Sequence, residues 1–213
     1  MAYVVGFFAA DGYITVTKRG GQFWSIQITD KELLYSIKRV TGSEHTIGER
    51  IGNENEKTLY RLQVGSNEMC ADLRRLGFFE QKTKSMSVPN VPIEYFSDFT
   101  RGYFDGDGNV WSVLIHKKRK RPTFNLIVAF TSCSKDFLGC LHERLNTLCV
   151  TGGCLYKAKG GYLRLQYSAV DSLKLYDFMY NHRDFQKSGL FLERKKLVFE
   201  KYKKLKCARS SAG

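Results

Sequence analysis

The chain has 213 residues, 43% of them hydrophobic and 14% aromatic, a composition typical of a folded protein and not of a disordered one. Its 34 basic and 21 acidic side chains give a formal net charge of +13, which favours a polyanionic partner because phosphate contacts release counterions. No apolar run approaches the ~20 residues that span a bilayer, and the basic residues do not follow one amphipathic helix. We therefore expect a nucleic-acid partner and no membrane association.

Six cysteines are present, and no two of them form a CxxC pair. The N-terminal residues do not resemble a secretory leader, so we expect reduced thiols in an intracellular protein, in either an organelle or a prokaryotic cytoplasm. Cys133 and Cys140 lie near His142, but their spacing fits no standard zinc finger, and structural cysteines are expected.

The first half of the chain predicts helices and hairpins in a regular order. An apolar helix ends at Asp11, alternating residues predict a hairpin around Gly20, and Asp30 is suited to cap the next helix. The predicted elements are helix 4–11, strands 13–18 and 22–29, helix 31–40, strands 46–51 and 57–65, and helix 68–76. A segment with Pro89 and Pro92 then marks a boundary.

The second half repeats this order after a helix that ends at Asp107. Its predicted elements are strands 109–115 and 123–131, helix 134–146, strands 153–158 and 162–168, helix 170–180 and a final amphipathic helix 190–205. Arg-Leu-Gln at 61–63 recurs at 164–166, and Lys-Ser at 84–85 recurs at 187–188, both 103 positions later. Asp107 follows Asp11 by only 96 positions, which places seven extra residues in the first hairpin of the second half.

A duplicated αββαββα unit is the simplest explanation for this repetition. We therefore predict an α+β fold with two pseudo-symmetric halves, each with a four-stranded antiparallel sheet. The predicted boundaries are a first half at 1–88, a linker at 89–97, a second half at 98–206 and a disordered tail at 207–213.

The two helices that end in Asp-Gly share a small face. Gly6 lies four residues before Ala10, and Gly102 lies four residues before Gly106, so each helix has one face on which another backbone can approach closely. The following glycines, at 12 and 108, are expected to be left-handed caps. Packing the two helices through these faces brings their C-terminal ends together.

Asp11 and Asp107 are unusual at these helix ends, because a carboxylate there meets the negative end of the helix dipole. Two such carboxylates close together raise each other's pKa unless a cation neutralises them, and Mg²⁺ prefers carboxylate and water oxygens. The alternative is that each Asp-Gly is only a turn. Two copies with the same small-residue spacing favour the metal site.

The nonapeptides VVGFFAADG at 4–12 and TRGYFDGDG at 100–108 resemble the motif of the LAGLIDADG homing endonucleases, and the order of elements resembles that family over nearly the whole chain. The resemblance implies a monomer whose motif helices form the interface between halves and whose sheets form a saddle on double-stranded DNA. It also implies that Asp11 and Asp107 bind the catalytic metal, with Ala10 and Gly106 beside them in the metal site. Mg²⁺ is the expected ion, with Mn²⁺ as a substitute and Ca²⁺ supporting binding without cleavage.

The sequences of the two motifs differ from the family pattern at separate places. The first has Ala9 where the family name has its first Asp, a position that varies within the family. The second keeps an acid there, Asp105, but carries Arg101 on an otherwise small, apolar stretch.

Polar residues on the predicted strands are candidates for reading DNA, because Gln and Arg make bidentate contacts to adenine and guanine in the major groove. A solvated polar sheet face is the alternative for each of them. The sheet candidates are Ser25, Gln27, Thr29, Arg61, Gln63, Arg164 and Gln166. A basic loop is expected to contact the DNA phosphates. It comprises Lys117, Lys118, Arg119, Lys120 and Arg121. The basic final helix is interpreted as an exposed polar face and is not assigned to DNA.

Hydrolysis of a phosphodiester needs an aligned water and neutralisation of the charge that develops on both oxygens. Lys84 and Lys187, at matching positions in the two halves, are the leading candidates to assist Asp11 and Asp107, and Lys31 and Lys135 are second candidates. Gln27 has two candidate roles, ordering solvent or reading a base.

The leading hypothesis is a site-specific DNA endonuclease that makes a double-strand break with cohesive ends at a long, asymmetric target and promotes intron or intein homing. No protein partner is required for this activity. An RNA-binding intron maturase and a catalytically silent DNA-binding regulator are the alternatives, and the presence of both motif acids favours catalysis.

Overall fold

The computed structural model describes residues 1–52, 57–80, 86–116, 118, 123–181 and 185–210. The first half contains α1 (Ala2–Asp11), β1 (Gly12–Val16), β2 (Gln22–Ile28), α2 (Lys31–Val40), β3 (Ile47–Arg50), β4 (Leu59–Gly65) and α3 (Asn67–Arg75). The second half contains, after a short 3-10 helix at Ile93–Tyr95, α4 (Phe96–Asp107), β5 (Gly108–Ile115), β6 (Thr123–Ser132), α5 (Lys135–Leu148), β7 (Cys154–Lys157), β8 (Leu163–Tyr167), α6 (Ala169–Tyr180), α7 (Phe185–Ser188) and α8 (Glu193–Ser210). The sequence pattern did not indicate the 3-10 helix or α7.

Each half forms a four-stranded antiparallel sheet, with strand orders β1-β2-β4-β3 and β5-β6-β8-β7. The registers also correspond, because Gln27 pairs with Arg61 in the first sheet as Thr131 pairs with Arg164 in the second. Strands β5 and β6 have 8 and 10 residues, against 5 and 7 in β1 and β2, so the second half has the longer first hairpin. The predicted α+β fold with two αββαββα halves is confirmed.

The two halves meet where α1 packs against α4. A Cβ atom on Gly6 would lie 2.1 Å from the carbonyl oxygen of Phe99, and a Cβ atom on Gly102 would lie 2.1 Å from that of Tyr3. These distances are far below van der Waals contact, so the helices can approach this closely only because both residues lack a side chain. The small faces that the spacing predicted therefore form the interface.

Gly12 and Gly108 are not left-handed caps, and that prediction is wrong. Both are extended, with φ of −85° and −91°, and the chain passes directly from helix into strand at each of them. A Cβ atom on Gly12 would lie 2.1 Å from the ring of Phe8, and one on Gly108 would lie 2.3 Å from the ring of Phe104. Glycine is needed here because an aromatic ring folds over the junction.

Arg101 connects α4 to the C-terminal segment. Its side chain is 1% exposed and donates hydrogen bonds to the carbonyl oxygens of Met179 (2.8 Å) and Leu190 (3.1 Å) and to the carboxylate of Asp98 (2.6 Å). A charged residue is tolerated on this small, apolar stretch because these partners replace its water.

The last helix, α8, continues to Ser210, past position 207 where the tail was predicted to begin, and residues 211–213 lie outside the described residues. Among the helices of the described ranges, none is both long enough and apolar enough to cross a membrane.

Candidate active site

Asp11 and Asp107 end α1 and α4, and the packing of these helices brings the two acids to the same edge of the interface. The Oδ2 atom of Asp11 lies 3.0 Å from the position that a Cβ atom on Gly106 would occupy. Asp107 lines a cleft of about 400 Å³ together with Ala9 and Ala10 of the first motif. Both acids are partly exposed, and neither helix has a basic residue in its last turn. Each acid thus lies beside the opposite motif, where two negative helix ends converge.

Hydrogen bonds attach the end of α4 to the second sheet. Thr131 Oγ1 donates to the carbonyl oxygen of Asp107 at 2.7 Å, and the Tyr103 hydroxyl donates to the carbonyl oxygen of Thr131 at 2.6 Å. Burial raises the pKa of Tyr103 well above its ordinary value, and the negative charges of Asp107 and Asp11 act in the same direction. The hydroxyl therefore remains a donor at neutral pH and helps to hold the backbone that carries Asp107.

Lys195 on α8 is the residue at this site that the sequence interpretation missed. Its ammonium group donates to the carbonyl oxygens of Phe104 (2.6 Å), Asp105 (2.7 Å) and Gly108 (2.6 Å), at the C-terminal end of α4. The predicted exposed polar face of the final helix is wrong at Lys195 and Lys196, which are 7% and 9% exposed. The physical reason is that α8 packs against β5 and α6 and reaches the C-terminal end of α4, whose terminal carbonyl groups need donors.

The environment of Lys195 affects its pKa in opposing ways. Burial lowers the pKa to about 8, while the negative charges of Asp105, Asp11 and Asp107 favour the charged form. The ammonium group therefore offsets part of the negative charge that the two motif acids and the end of α4 bring together.

Asp105 joins the two halves. Its Oδ2 atom accepts hydrogen bonds from the Tyr3 hydroxyl of α1 at 2.8 Å and from the backbone nitrogen of Leu192 at 3.0 Å. The side chain is 2% exposed, and burial raises its pKa to about 6 even though Lys195 and the Tyr3 hydrogen bond act to lower it. This second acid of the motif therefore has a structural role and does not line the cleft.

The first sheet presents most of its predicted DNA-binding residues on its open face. Arg61 is exposed, and Gln27 and Gln63 are partly exposed. Gln27 and Arg61 line a shallow pocket of about 270 Å³ together with Arg50 of the edge strand. Thr29 lies just beyond the end of β2 and is exposed. These positions fit contacts with a ligand laid across the sheet.

Ser25 was predicted to bind DNA, and the structure shows that this prediction is wrong. It is fully buried, and among the described residues its Oγ atom has no hydrogen-bond partner. In the sheet register Ser25 lies between Tyr13 and Gln63, whose longer side chains flank its short one. The alternation of residues along a strand predicts which face a side chain lies on, but not how exposed it is. Ser25 is therefore not available to DNA.

The second sheet has aromatic side chains next to its predicted DNA-binding residues. Arg164 is partly exposed, and its guanidinium group contacts the rings of Trp111 and Tyr162. Gln166, also partly exposed, accepts a hydrogen bond from the Tyr156 hydroxyl at 2.8 Å. Both predicted residues therefore lie on the open face, each beside an aromatic partner.

The structure describes only some of the lysines that were predicted to assist catalysis or to contact phosphates. Lys84 lies outside the described residues, as do Lys117, Arg119, Lys120 and Arg121 of the basic loop, whereas Lys118 is in an exposed turn. Lys187 is exposed on α7, next to Ser188, whose carbonyl oxygen accepts a hydrogen bond from Arg39 of the first half. The Nζ atom of Lys31 lies 3.8 Å from the Oε2 atom of Glu49. Lys135 is exposed at the start of α5.

The donor chemistry at the motif ends fits a hard divalent cation. Asp11 and Asp107 supply carboxylate oxygens, and the described ranges contain no group of three or more His, Cys, Asp or Glu side chains that could hold a metal by itself. Phosphate oxygens and water would have to complete the ligand set, as Mg²⁺ sites commonly allow. The predicted position Gly106 has its carbonyl oxygen 3.4 Å from the Lys195 ammonium, whereas Ala10 lines the open cleft.

Comparison with known proteins agrees with this architecture. Residues 1–77 match the family model of the LAGLIDADG-like domain. I-AabMI bound to uncleaved DNA has a TM-score of 0.62 at 13% identity, covering 99% of this chain and 91% of that one. I-SmaMI bound to an uncleaved DNA target in the presence of calcium ions has a TM-score of 0.58 at 14% identity, covering 85% and 84%. I-SmaMI bound to cleaved DNA has a TM-score of 0.58 at 16% identity, covering 85% and 82%.

No curated protein sequence matches the chain. The family match at the first motif and the structural matches across both halves nevertheless agree with the resemblance carried by the two nonapeptides. The chain therefore has a LAGLIDADG-like domain at residues 1–77 and, over both halves, the fold of the LAGLIDADG homing endonucleases.

Proposed function

We propose that this protein is a site-specific, divalent-metal-dependent DNA endonuclease that makes a double-strand break with cohesive ends. The observation that carries the proposal is the convergence of Asp11 and Asp107 at the ends of α1 and α4. A protein that only binds DNA gains nothing from two carboxylates beside phosphates, because like charges repel. A nuclease needs them to hold cations.

Double-stranded DNA is the proposed partner. The net charge of +13 suits a polyanion, and Arg61 and Arg164 lie at corresponding positions on the two sheets. Arg and Gln on a sheet face match base edges in the major groove, which a β-ribbon can enter. The structures of I-AabMI and I-SmaMI, which have the same fold, are bound to DNA, and this supports a DNA partner for the present chain.

In the proposed mechanism, Asp11 and Asp107 each serve one DNA strand, since each ends the motif helix of one half. Mg²⁺ held by these carboxylates would neutralise charge on the scissile phosphate and make a bound water more acidic. Thr131 and Lys195 keep the backbone around Asp107 in place, and the open sheet faces hold the duplex in register. The I-SmaMI structure with calcium ions supports the use of a divalent metal.

The two halves differ in hairpin length and in the residues of their open faces, so a single chain should recognise an asymmetric target as a monomer. Intron or intein homing is the biological role that we propose, with action inside the cell where the DNA target lies.

The proposal is tested by selecting cleaved sites from a randomised double-stranded DNA library with Mg²⁺ or Mn²⁺. We expect one long asymmetric site, loss of the double-strand break in Asp11→Asn and Asp107→Asn, and retained binding of both variants in Ca²⁺. Asp136→Asn, an exposed acid in the first turn of α5, is the matched control and should cut normally. Specific DNA binding without cutting would favour the silent regulator, and selective binding of intron RNA would favour the maturase.

A further inference from the structure

Arg164 contacts two aromatic side chains on the second sheet. Its guanidinium carbon lies 6.0 Å from the ring centre of Trp111 and 5.7 Å from that of Tyr162, and its Nη2 atom donates to the Tyr162 hydroxyl at 3.3 Å. The Nε atom is buried and has no hydrogen-bond partner among the described residues. The aromatic rings thus contact the guanidinium group, and cation–π contacts of this kind restrict the orientations that it adopts.

Arg61, the corresponding arginine of the first half, has no such aromatic contact among the described residues. The sheet registers place Thr15 where the second half has Trp111, because Thr15 pairs with Phe23 as Trp111 pairs with Ile127. Leu59 precedes Arg61 by two residues, as Tyr162 precedes Arg164. Arg61 is accordingly exposed, whereas Arg164 is partly covered.

The location of Arg164 indicates what it would contact. It lies on β8, an inner strand of the second sheet, pairs there with Thr131 of β6, and lines the same cleft as Asp107. On a duplex laid across the sheet, the side chains of an inner strand can reach base edges in the major groove. A guanidinium group that neighbouring rings already restrict loses little freedom on binding. Its two parallel N–H donors, the donor fork, match the paired O6 and N7 acceptors of guanine.

We infer that Arg164 is a specificity-determining residue that selects a single guanine in the half-site bound by the second sheet, close to the bond cut at Asp107. This inference rests on the proposed function, because it names one feature of that substrate. The aromatic support predicts a stronger preference at this position than at the base pair facing Arg61.

The experiment is a binding selection from a randomised DNA duplex library in Ca²⁺, which measures base preference without cleavage. For the wild-type protein we expect one guanine favoured over other bases by about 5- to 150-fold, the range of a good bidentate pair. Arg164→Ala and Arg164→Lys should both lose that preference, since lysine lacks the fork. Trp111→Thr, which introduces the first-half residue, should weaken it, and Lys203→Gln, on the surface of α8 that is not assigned to DNA, should leave it unchanged. Thermal unfolding confirms that each variant is folded.

Three results would overturn the inference while leaving the proposed function intact. A uniform loss of affinity for all sequences in Arg164→Ala would mean that Arg164 contacts a phosphate. A guanine preference that persists in Arg164→Ala, or the absence of such a preference in a wild-type selection that still yields a target, would mean that Arg164 does not select it. If the wild-type protein enriches no DNA sequence at all, the proposed function fails and the inference fails with it.

Discussion

The ammonium group of Lys195 lies 2.6 Å from the carbonyl oxygen of Gly108, the residue that follows Asp107. It also bonds the carbonyl oxygens of Phe104 and Asp105, so one cation satisfies several acceptors that the end of α4 leaves open. A positive charge at a helix C-terminus opposes the negative end of the dipole. The second motif is therefore stabilised by a helix that follows it by almost ninety residues.

Lys195→Met should destabilise the protein by roughly 1–3 kcal/mol, because buried carbonyl groups lose their donor while the aliphatic volume is largely kept. Urea unfolding measures this change. In single-strand cleavage assays, the strand cut at Asp107 should slow more than the strand cut at Asp11, since Lys195 contacts only the second motif through its hydrogen bonds.

Lys203→Met provides the matched control, because Lys203 lies on the same helix, is exposed and forms a surface contact with Asp177 at 3.6 Å. Such pairs contribute little, so its stability and its strand rates should stay near those of the wild type. Equal effects of both substitutions would show that α8 acts through its overall charge and not through this contact.

Asp105→Asn should change how stability depends on pH. The pKa of Asp105 is raised by burial from 3.8 to about 6, so between these values the folded protein binds more protons than the unfolded chain. The contribution of Asp105 to the free energy of unfolding therefore falls as pH rises through that window, by roughly 3 kcal/mol in total. The contribution is lost completely above the pKa that Asp105 has in the folded protein. The Asn variant should lack this component.

Urea unfolding at closely spaced pH values between 4 and 7 checks this expectation. Asp72→Asn is the control, because Asp72 is an exposed acid paired with Arg75 on α3, and it should keep the wild-type profile. A wild-type profile in Asp105→Asn would mean that the Asp105 carboxylate ionises in the folded protein as freely as in the unfolded chain.

Much of this architecture follows from the sequence, because hydrophobic periodicity and duplication fix the order of elements and the Asp-Gly ends locate the motif acids. Ser25 was misassigned because alternation distinguishes faces and not degrees of exposure. Lys195 was missed because a basic helix normally indicates a solvated face, and its partners are backbone carbonyls that carry no side-chain signal. The arginine at position 101 was visible as an anomaly, but only the fold supplied its distant carbonyl acceptors.

Neutralising the basic loop should weaken DNA binding without changing sequence preference. Replacing Lys117, Lys118 and Lys120 by Gln removes charges that are expected to contact phosphates, and each lost contact reduces the slope of log affinity against log salt by about 0.9. Titrations with the selected target and with a scrambled duplex at several salt concentrations measure both effects.

The control for this change is the triple variant Lys201→Gln, Lys203→Gln and Lys204→Gln, which removes the same charge from the exposed side of α8. That surface is not assigned to DNA, so its salt dependence should stay close to that of the wild type. A change in base preference at one base pair only, or an equal loss of DNA affinity in both triple variants, would contradict the role of the loop in binding phosphates.

Replacing either interface glycine should disrupt the pairing of α1 with α4. In Gly6→Ala and Gly102→Ala the new methyl group would lie 2.1 Å from a backbone carbonyl oxygen of the other helix, so the helices must separate. Overpacking in a tight core typically costs about 1–3 kcal/mol, and backbone cannot give way as a flexible side chain can. Cleavage should fall further than stability alone explains, because separation of the helices also moves Asp11 away from the second motif.

Gly139→Ala distinguishes this effect from a general consequence of adding a methyl group to a helix. Gly139 lies inside α5, and among the described residues no atom beyond its chain neighbours and the adjacent helix backbone comes within 4 Å of the position its Cβ would take. Alanine there should stabilise the protein by about 0.5–1 kcal/mol through helix propensity and leave cleavage unchanged. Chemical unfolding and cleavage rates of the three variants test the contrast. Stable, active Gly6→Ala and Gly102→Ala proteins would show that the two motif helices are not in close contact in solution.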